Sequence, residues 1–216
     1  DGPITPYITK ENHEQIIEGA LAGFGQTVYD PLLVFETKIK NVSDVSTSTV
    51  KTPDPIEILT NAGWKPNAET GVMEKTNKAK EITSLSFSLA TSDVPELKHV
   101  AETLKTTWEK IGAKVELKIF EIADLNQNII RPRQYEALFF GEALGRNADP
   151  YAFWHSSQRL DPGSNIALYT NLTVDKKLEE LRKLSDPEAR RTKSAEISEE
   201  IIRETPAIFL YQPYFM

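Results

Sequence analysis

Residues Ser84–Phe120 constrain the fold more than any other stretch of the chain. In "SLSFSLA", Leu85, Phe87 and Leu89 alternate with serines, which is the period of a half-buried strand. The period then changes in "SDVPELKHVAETLKTTWEKIG", where Leu97, Val100, Ala101, Leu104, Trp108 and Ile111 fall on one helical face. Asp93 followed three residues later by Glu96 predicts a capping box at the start, and Gly112 predicts a left-handed end. "KVELKIF" resumes the alternation with Val115, Leu117 and Ile119. Strand, long helix and strand with short connections predict a βαβ unit, hence two parallel strands joined by a right-handed crossover.

The flanks add helices and shorter strands. "TKENHEQIIEGALAG" predicts a helix with Ile16, Ile17, Ala20 and Leu21 as its apolar stripe, and residues 29–55, with many Pro, Ser and Thr, predict a surface excursion. "DPIEILTNAGW" and "IADLNQNII" each predict a short helix, the first with Pro55 in its first turn and Gly63 at its end. The apolar run "YEALFFGEAL" predicts a strand buried on both faces. Two helices follow, "TVDKKLEELRKL" and "SDPEARRTKSAEISEEIIRE", the second opened by Ser185 and Glu188 in capping-box spacing and stopped by Pro206. "AIFLYQPYF" predicts a last strand, with Pro213 confining its far end to an edge or exit. A length of 216 residues fits one large domain or two small ones, but there is no internal repeat or low-complexity tract. The reading is one α/β domain, residues 1–216, with a central mixed sheet that contains the parallel βαβ unit and helices packed on it.

Several functions are disfavoured by composition and motif. A net charge of -7 argues against a nucleic-acid partner and against broad contact with anionic lipid. No run approaches the ~20 apolar residues of a membrane span. The chain has no cysteine, so disulfides, thiolate metal sites and cysteine nucleophiles are ruled out. His13, His99 and His155 do not pair at metal-ligand spacing, and no metal or other cofactor is expected. No nucleophile elbow, phosphate loop or dinucleotide fingerprint is present, and the glycines of "GALAGFG" end a helix instead of opening one after a strand. The triplets "NVS" and "NLT" match glycosylation acceptors that arise readily by chance.

One segment stands apart. "DPYAFWHSSQ" places Tyr151, Phe153, Trp154 and His155 just after the apolar strand and the loop "GRNADP". Loops beyond the carboxyl ends of parallel strands are where an α/β domain ordinarily binds ligand. Rings with polar tips suit that duty, since Tyr O–H, Trp N–H and imidazole can orient what the ring faces bury. The same residues also suit a core that anchors a short helix, with His155 as a satisfied neighbour. For Asp149, the Asp-Pro pair favours a turn or helix start over ligand contact. A hydrolase would need His155 as base beside Ser156 or Ser157, and a module without a pocket would need none of these.

Several segments, in order, resemble the family 5 extracellular solute-binding proteins, the oligopeptide- and dipeptide-binding components of ABC importers. They are "EILTNAGWKPNAETGVMEK", "LKTTWEKIGAKVELKIFE", "ALFFGEALGRNADPYAFWHSSQ", then "SNIALYTNLTVDKKLEE" and "TPAIFLYQP". The opening "ITKENHEQIIEGALAGFGQTVYDPL" is similar to the family's helix at the matching place. The resemblance implies a periplasmic-binding-protein-like lobe, the distal one of two, with the first lobe and its export signal upstream. It implies a monomeric binding protein, not an enzyme, at the periplasmic or extracellular face of the membrane, free or lipid-anchored. Its partners would be a peptide or similar small solute, the first lobe and an ABC permease. The expected ligand contacts are Glu142, Arg146, Asp149, Tyr151, Trp154 and His155, with Asn165 and Tyr169 nearby. Some peptide-binding members carry an aspartate four residues before the Pro of this motif, where it pairs with the peptide's amino terminus; here that position is Arg146. A guanidinium suits a carboxylate, so the amine falls to Glu142, to Asp149 or to the first lobe, or the ligand lacks a free amine.

Overall fold

A computed structural model describes residues 10–32, 54–142 and 149–214. Most of the expected excursion (33–53) and Arg146 lie outside them. The βαβ unit forms as expected: β5 (Ser86–Ser92), α3 (Pro95–Glu109) and β6 (Lys114–Phe120). β5 and β6 pair in parallel from Ser86↔Lys114 to Ser92↔Phe120. On α3, Val100, Ala101, Leu104 and Trp108 are buried against the sheet, each large side chain contributing up to about 1.5–3 kcal/mol of transfer free energy. Gly112 adopts φ +87°, and a Cβ there would lie 2.8 Å from Met73 Cγ, so the turn needs glycine for conformation and for space.

The helix starts differ from expectation in a consistent way. α3 has Val94, not Asp93, as its N-cap and no side-chain cap. α7 (Pro187–Glu204) is capped by Asp186, not Ser185, with Ala189 N–H donating to Asp186 Oδ2 at 2.8 Å. In both, a proline holds the first helical position, and the residue before it is forced into extended backbone. That residue is therefore the cap. α2 (Pro55–Asn61) and α5 (Pro150–Trp154) obey the same rule with Asp54 and Asp149.

Parallel and antiparallel strands are both present, in separate sheets. The parallel sheet has the order β6-β5-β7, with β7 only Ala137–Leu138. Antiparallel β2 (Lys65–Pro66), β3 (Met73–Thr76) and β4 (Ile82–Ser84) form a second sheet. Leu85 joins the two: its N–H donates to Met73 O at 2.7 Å, and its carbonyl accepts from Lys114 N–H at 2.8 Å. β1 (Gly25–Thr27) and β8 (Tyr211–Pro213) form a two-stranded antiparallel ribbon. The run "YEALFFGEAL" is thus not a strand buried on both faces. Ala137 and Leu138 are half-buried beside β5, and β5 itself is the doubly buried strand, with Ser88 to Ser92 all buried.

Three apolar clusters result. α1 (Lys10–Leu21), α3 and the sheet enclose the first, which includes Ile16, Leu89, Val100, Leu104 and Trp108. α5, α6 (Leu172–Leu181) and α7 enclose the second, around Val174, Leu178, Leu181, Ile197 and Ile201. The third, Ala90, Leu125 and Ile130, covers the other face of β5 with α4 (Ile122–Asp124) and the wider π-type turn Leu125–Ile130. Among the described residues no helix is long and apolar enough to cross a membrane.

β7 begins where a side chain takes over the ladder. Ser88 N–H and Oγ–H both donate to Glu136 Oε2, at 2.8 and 2.6 Å. These bonds, the hydroxyl's first, hold the Glu136 carboxyl below its ordinary pKa, with a smaller pull from Lys118 and an opposing desolvation. A carboxylate lowered on folding adds stability above its unfolded value of about 4.3, and the gain fades as pH falls through the folded value. Thermal melts should therefore show the parent more stable than Glu136→Ala by a margin widest near pH ~7 and narrowing below about pH 4. A margin that does not change with pH would mean the charge is irrelevant to the contact.

Candidate functional site

The segment 149–158 is built onto one face of α6. Asn171 caps that helix, its Oδ1 accepting from Thr173 and Val174 N–H at 2.8 and 3.1 Å. Two stripes then run side by side. Val174, Leu178 and Leu181 are buried in the second core. Asp175, Glu179 and Arg182, at the same i, i+4, i+7 spacing, meet the aromatic segment.

Each polar residue of that stripe has a partner in the segment. Asp175 is buried and accepts from Ser156 N–H at 2.8 Å and from Ser156 Oγ–H at 2.5 Å. Arg182 Nε lies 2.7 Å from Asp149 Oδ2, and its guanidinium carbon lies 4.1 Å from the Tyr151 ring centroid. His155 Nε2 faces Glu179 Oε1 at 3.6 Å and Asp175 Oδ1 at 3.9 Å. Its Nδ1 accepts from Ser157 N–H at 3.1 Å, so the ring is a helix cap and its neutral form carries the proton on Nε2. Ser157 Oγ lies 2.8 Å from the same nitrogen.

The expected site residues sort by burial. Trp154 is not on an open wall. Only 7% exposed, its ring meets Tyr169 and Phe209 edge-on at centroid distances of 6.1 and 5.9 Å inside the second core. The reason is geometric: a five-residue helix starting at Pro150 brings Trp154 round onto the α6 side. Asn165 is fully buried and is a pin between loops, donating to His155 O and Tyr169 O and accepting from Tyr169 N–H, all at 3.0–3.1 Å. Tyr169 is buried, and desolvation, then Glu204, raises its pKa. Asp149 caps α5, with Tyr151 N–H donating to its Oδ1 at 3.1 Å. Tyr151 remains half-buried, stacked on His155 at 4.0 Å, and borders a shallow recess of about 320 Å³ with Glu179, Arg182 and Lys183.

Glu142 lies four residues past the end of β7. It is exposed, although nearby protein desolvates its carboxyl enough to raise the pKa, against the lowering pull of Arg133. A second recess, about 360 Å³, lies at the opposite, amino-terminal ends of the parallel strands, lined by Ser86, Lys105, Lys114 and Glu136. Parallel sheets bind ligands at carboxyl ends, so position favours the Glu142 end over this recess. The α6 stripe was missed by sequence reading, although the spacing of Asp175, Glu179 and Arg182 carried it. Among the described residues no group of three or more His, Asp or Glu is placed to hold a metal ion.

Comparison with known proteins agrees with this architecture. The fold is that of a substrate-binding-protein lobe, and the chain is similar in sequence and structure to an oligopeptide-binding protein. The oligopeptide-binding protein AppA of Bacillus subtilis is 27% identical over 207 residues, which are 95% of this chain and 37% of AppA. Protein XP55 of Streptomyces lividans is 26% identical over 92% of this chain and 35% of its own length. The chain thus spans little more than a third of either relative. The solved structure of AppA in complex with a nonapeptide superposes with a TM-score of 0.78 at 26% identity, covering 97% of this chain and 40% of AppA. NikZ from Campylobacter jejuni, solved with Ni(L-His), shares the fold with a TM-score of 0.73 at 20% identity, over 97% of this chain and 40% of NikZ. No family model matches the chain.

The burial of Trp154 yields a stability prediction. Trp154→Ala should lower the urea-unfolding free energy by about 3–5 kcal/mol, as large-to-small changes in a packed core do. A loss under about 1 kcal/mol would put the ring at a surface.

Proposed function

We propose that residues 1–216 are the distal lobe of a two-lobed solute-binding protein whose full-length form captures peptides and hands them to an ABC permease. The observation that carries this reading is the extent of the match to AppA, nearly all of this chain against 37% of that peptide-binding relative. A single lobe supplies half of a cleft, and the ligand favours closure by touching both halves. On this lobe the contacts come from the carboxyl end of the parallel sheet, where Glu142 is exposed, and from the open edge of Tyr151. Trp154, His155, Asn165 and Tyr169 stand behind that surface and hold it in place. The cluster suits binding better than catalysis. Ser156 and Asp175 satisfy each other, and the Nδ1 of His155 is engaged as a cap. The protein acts as a monomer at the periplasmic or extracellular face of the membrane, free or lipid-anchored.

Native mass spectrometry of the full-length protein, purified without denaturation, should release a series of short peptides, and calorimetry with those peptides should give saturable binding. Peptides returned cleaved would identify a hydrolase instead, and failure to retain any peptide would overturn the reading.

A further inference from the structure

The Asp-Pro turn carries the one acidic residue within the segment 149–158, and that residue is already committed. Asp149 Oδ1 accepts the Tyr151 N–H at 3.1 Å, and Oδ2 meets Arg182 Nε at 2.7 Å. The same guanidinium lies 4.1 Å from the centroid of the Tyr151 ring, and the His155 ring stacks on Tyr151 at 4.0 Å with 19° between planes. Two groups that close to one centroid cannot share a face. Tyr151 is therefore sandwiched, its edge is presented outward, and its hydroxyl lies 3.3 Å from Ser157 Oγ.

We infer that Arg182 is a specificity-determining positioning residue: it withholds the Asp149 carboxylate from cationic ligand groups and keeps Tyr151 edge-on. The inference rests on the reading of this chain as a ligand-binding lobe. Both partners of the pair are partly exposed, with side chains 53% and 38% accessible. Exposed ion pairs contribute little to stability, so the pair affects recognition more than folding. A carboxylate released from it becomes a charge-assisted acceptor for an ammonium group. In its present state the turn does not favour a free amine, which leaves that preference to groups elsewhere in the cleft.

The test compares tetra-alanine with its N-acetylated form, by calorimetry on the full-length protein. Asn keeps the helix cap that Asp149 provides, so Asp149→Asn should leave the ratio of the two Kd values within about twofold of the parent. Arg182→Gln should shift that ratio about tenfold toward the free amine, the size of one charge-assisted hydrogen bond. The double variant should return to the parent ratio. An unmoved ratio in Arg182→Gln, or a free-amine preference lost in Asp149→Asn alone, would overturn the inference. A parent protein that binds neither peptide would sink the peptide reading itself, and masking is then read directly on this chain. Carbodiimide-driven coupling of glycine ethyl ester to Asp149 should run about fivefold faster in Arg182→Gln than in the parent. Equal rates would refute the masking.

Discussion

The non-helical segment Ala207–Tyr211 is the wall shared by the two main cores, and the rest of the packing depends on it. Ala207 and Phe209 pack into the core of α5, α6 and α7, while Ile208, Leu210 and Tyr211 pack into the core of α1, α3 and the parallel sheet. Alternation at period two from Ala207 to Leu210 lets a single run serve both sides, with Tyr211 then staying on the side of Leu210. Polar contacts hold the run in register. Phe209 O lies 3.1 Å from His13 Nε2, Leu210 O accepts from Val28 N–H at 3.3 Å, and Tyr211 Oη–H donates to Glu96 at 2.8 Å. Helix α7 stops one residue before the proline that leads into this run, with Thr205 in the left-handed conformation at φ +47°. Where α7 ends therefore decides how both cores close.

The third cluster is tied in by a different device. Arg133 sits at φ +59° and donates to three backbone carbonyls: Ile130 O at 2.5 Å, Gly163 O at 2.6 Å and Arg159 O at 2.9 Å. A guanidinium offers five donors in a rigid fork, so one side chain can gather the carbonyls of two loops. Tyr135 Oη–H, donating to Ile166 O at 2.5 Å, adds a second tie between the same loops. The loop that returns to α6 is thereby fastened to the segment that leads into β7. The aromatic turn and the carboxyl end of the sheet thus belong to one fastened body.

What was legible in the sequence follows from how local its causes are. The βαβ unit was readable because period and turn chemistry are neighbour effects, and both agree between Ser84 and Phe120. The cap positions slipped by one residue in α3 and α7 because side-chain identity was weighed above the proline that follows. Proline fixes φ and excludes its predecessor from helix, a stronger constraint than a capping preference. β7 was over-read because an apolar run does not say which neighbours cover it: Ala137 and Leu138 lie beside a buried strand without becoming one. The site was the least legible part. "YAFW" names rings but not directions, and only the seat of α5 on α6 turns Trp154 inward while leaving Tyr151 at the rim.

That seat also explains how exposed rim and buried scaffold divide the same ten residues. The polar stripe of α6 satisfies the Asp149 carboxylate, Ser156 and one face of Tyr151, so the segment's polar groups mostly point back into the domain. A surface whose donors and acceptors are internally paired is rigid and chemically quiet. Glu142, past the end of β7, is in a different state: it is exposed, and desolvation raises the pKa of its carboxyl against the lowering pull of Arg133. The aromatic turn is thus ordered from within the domain, through α6, while the strand end leaves a carboxyl at the surface.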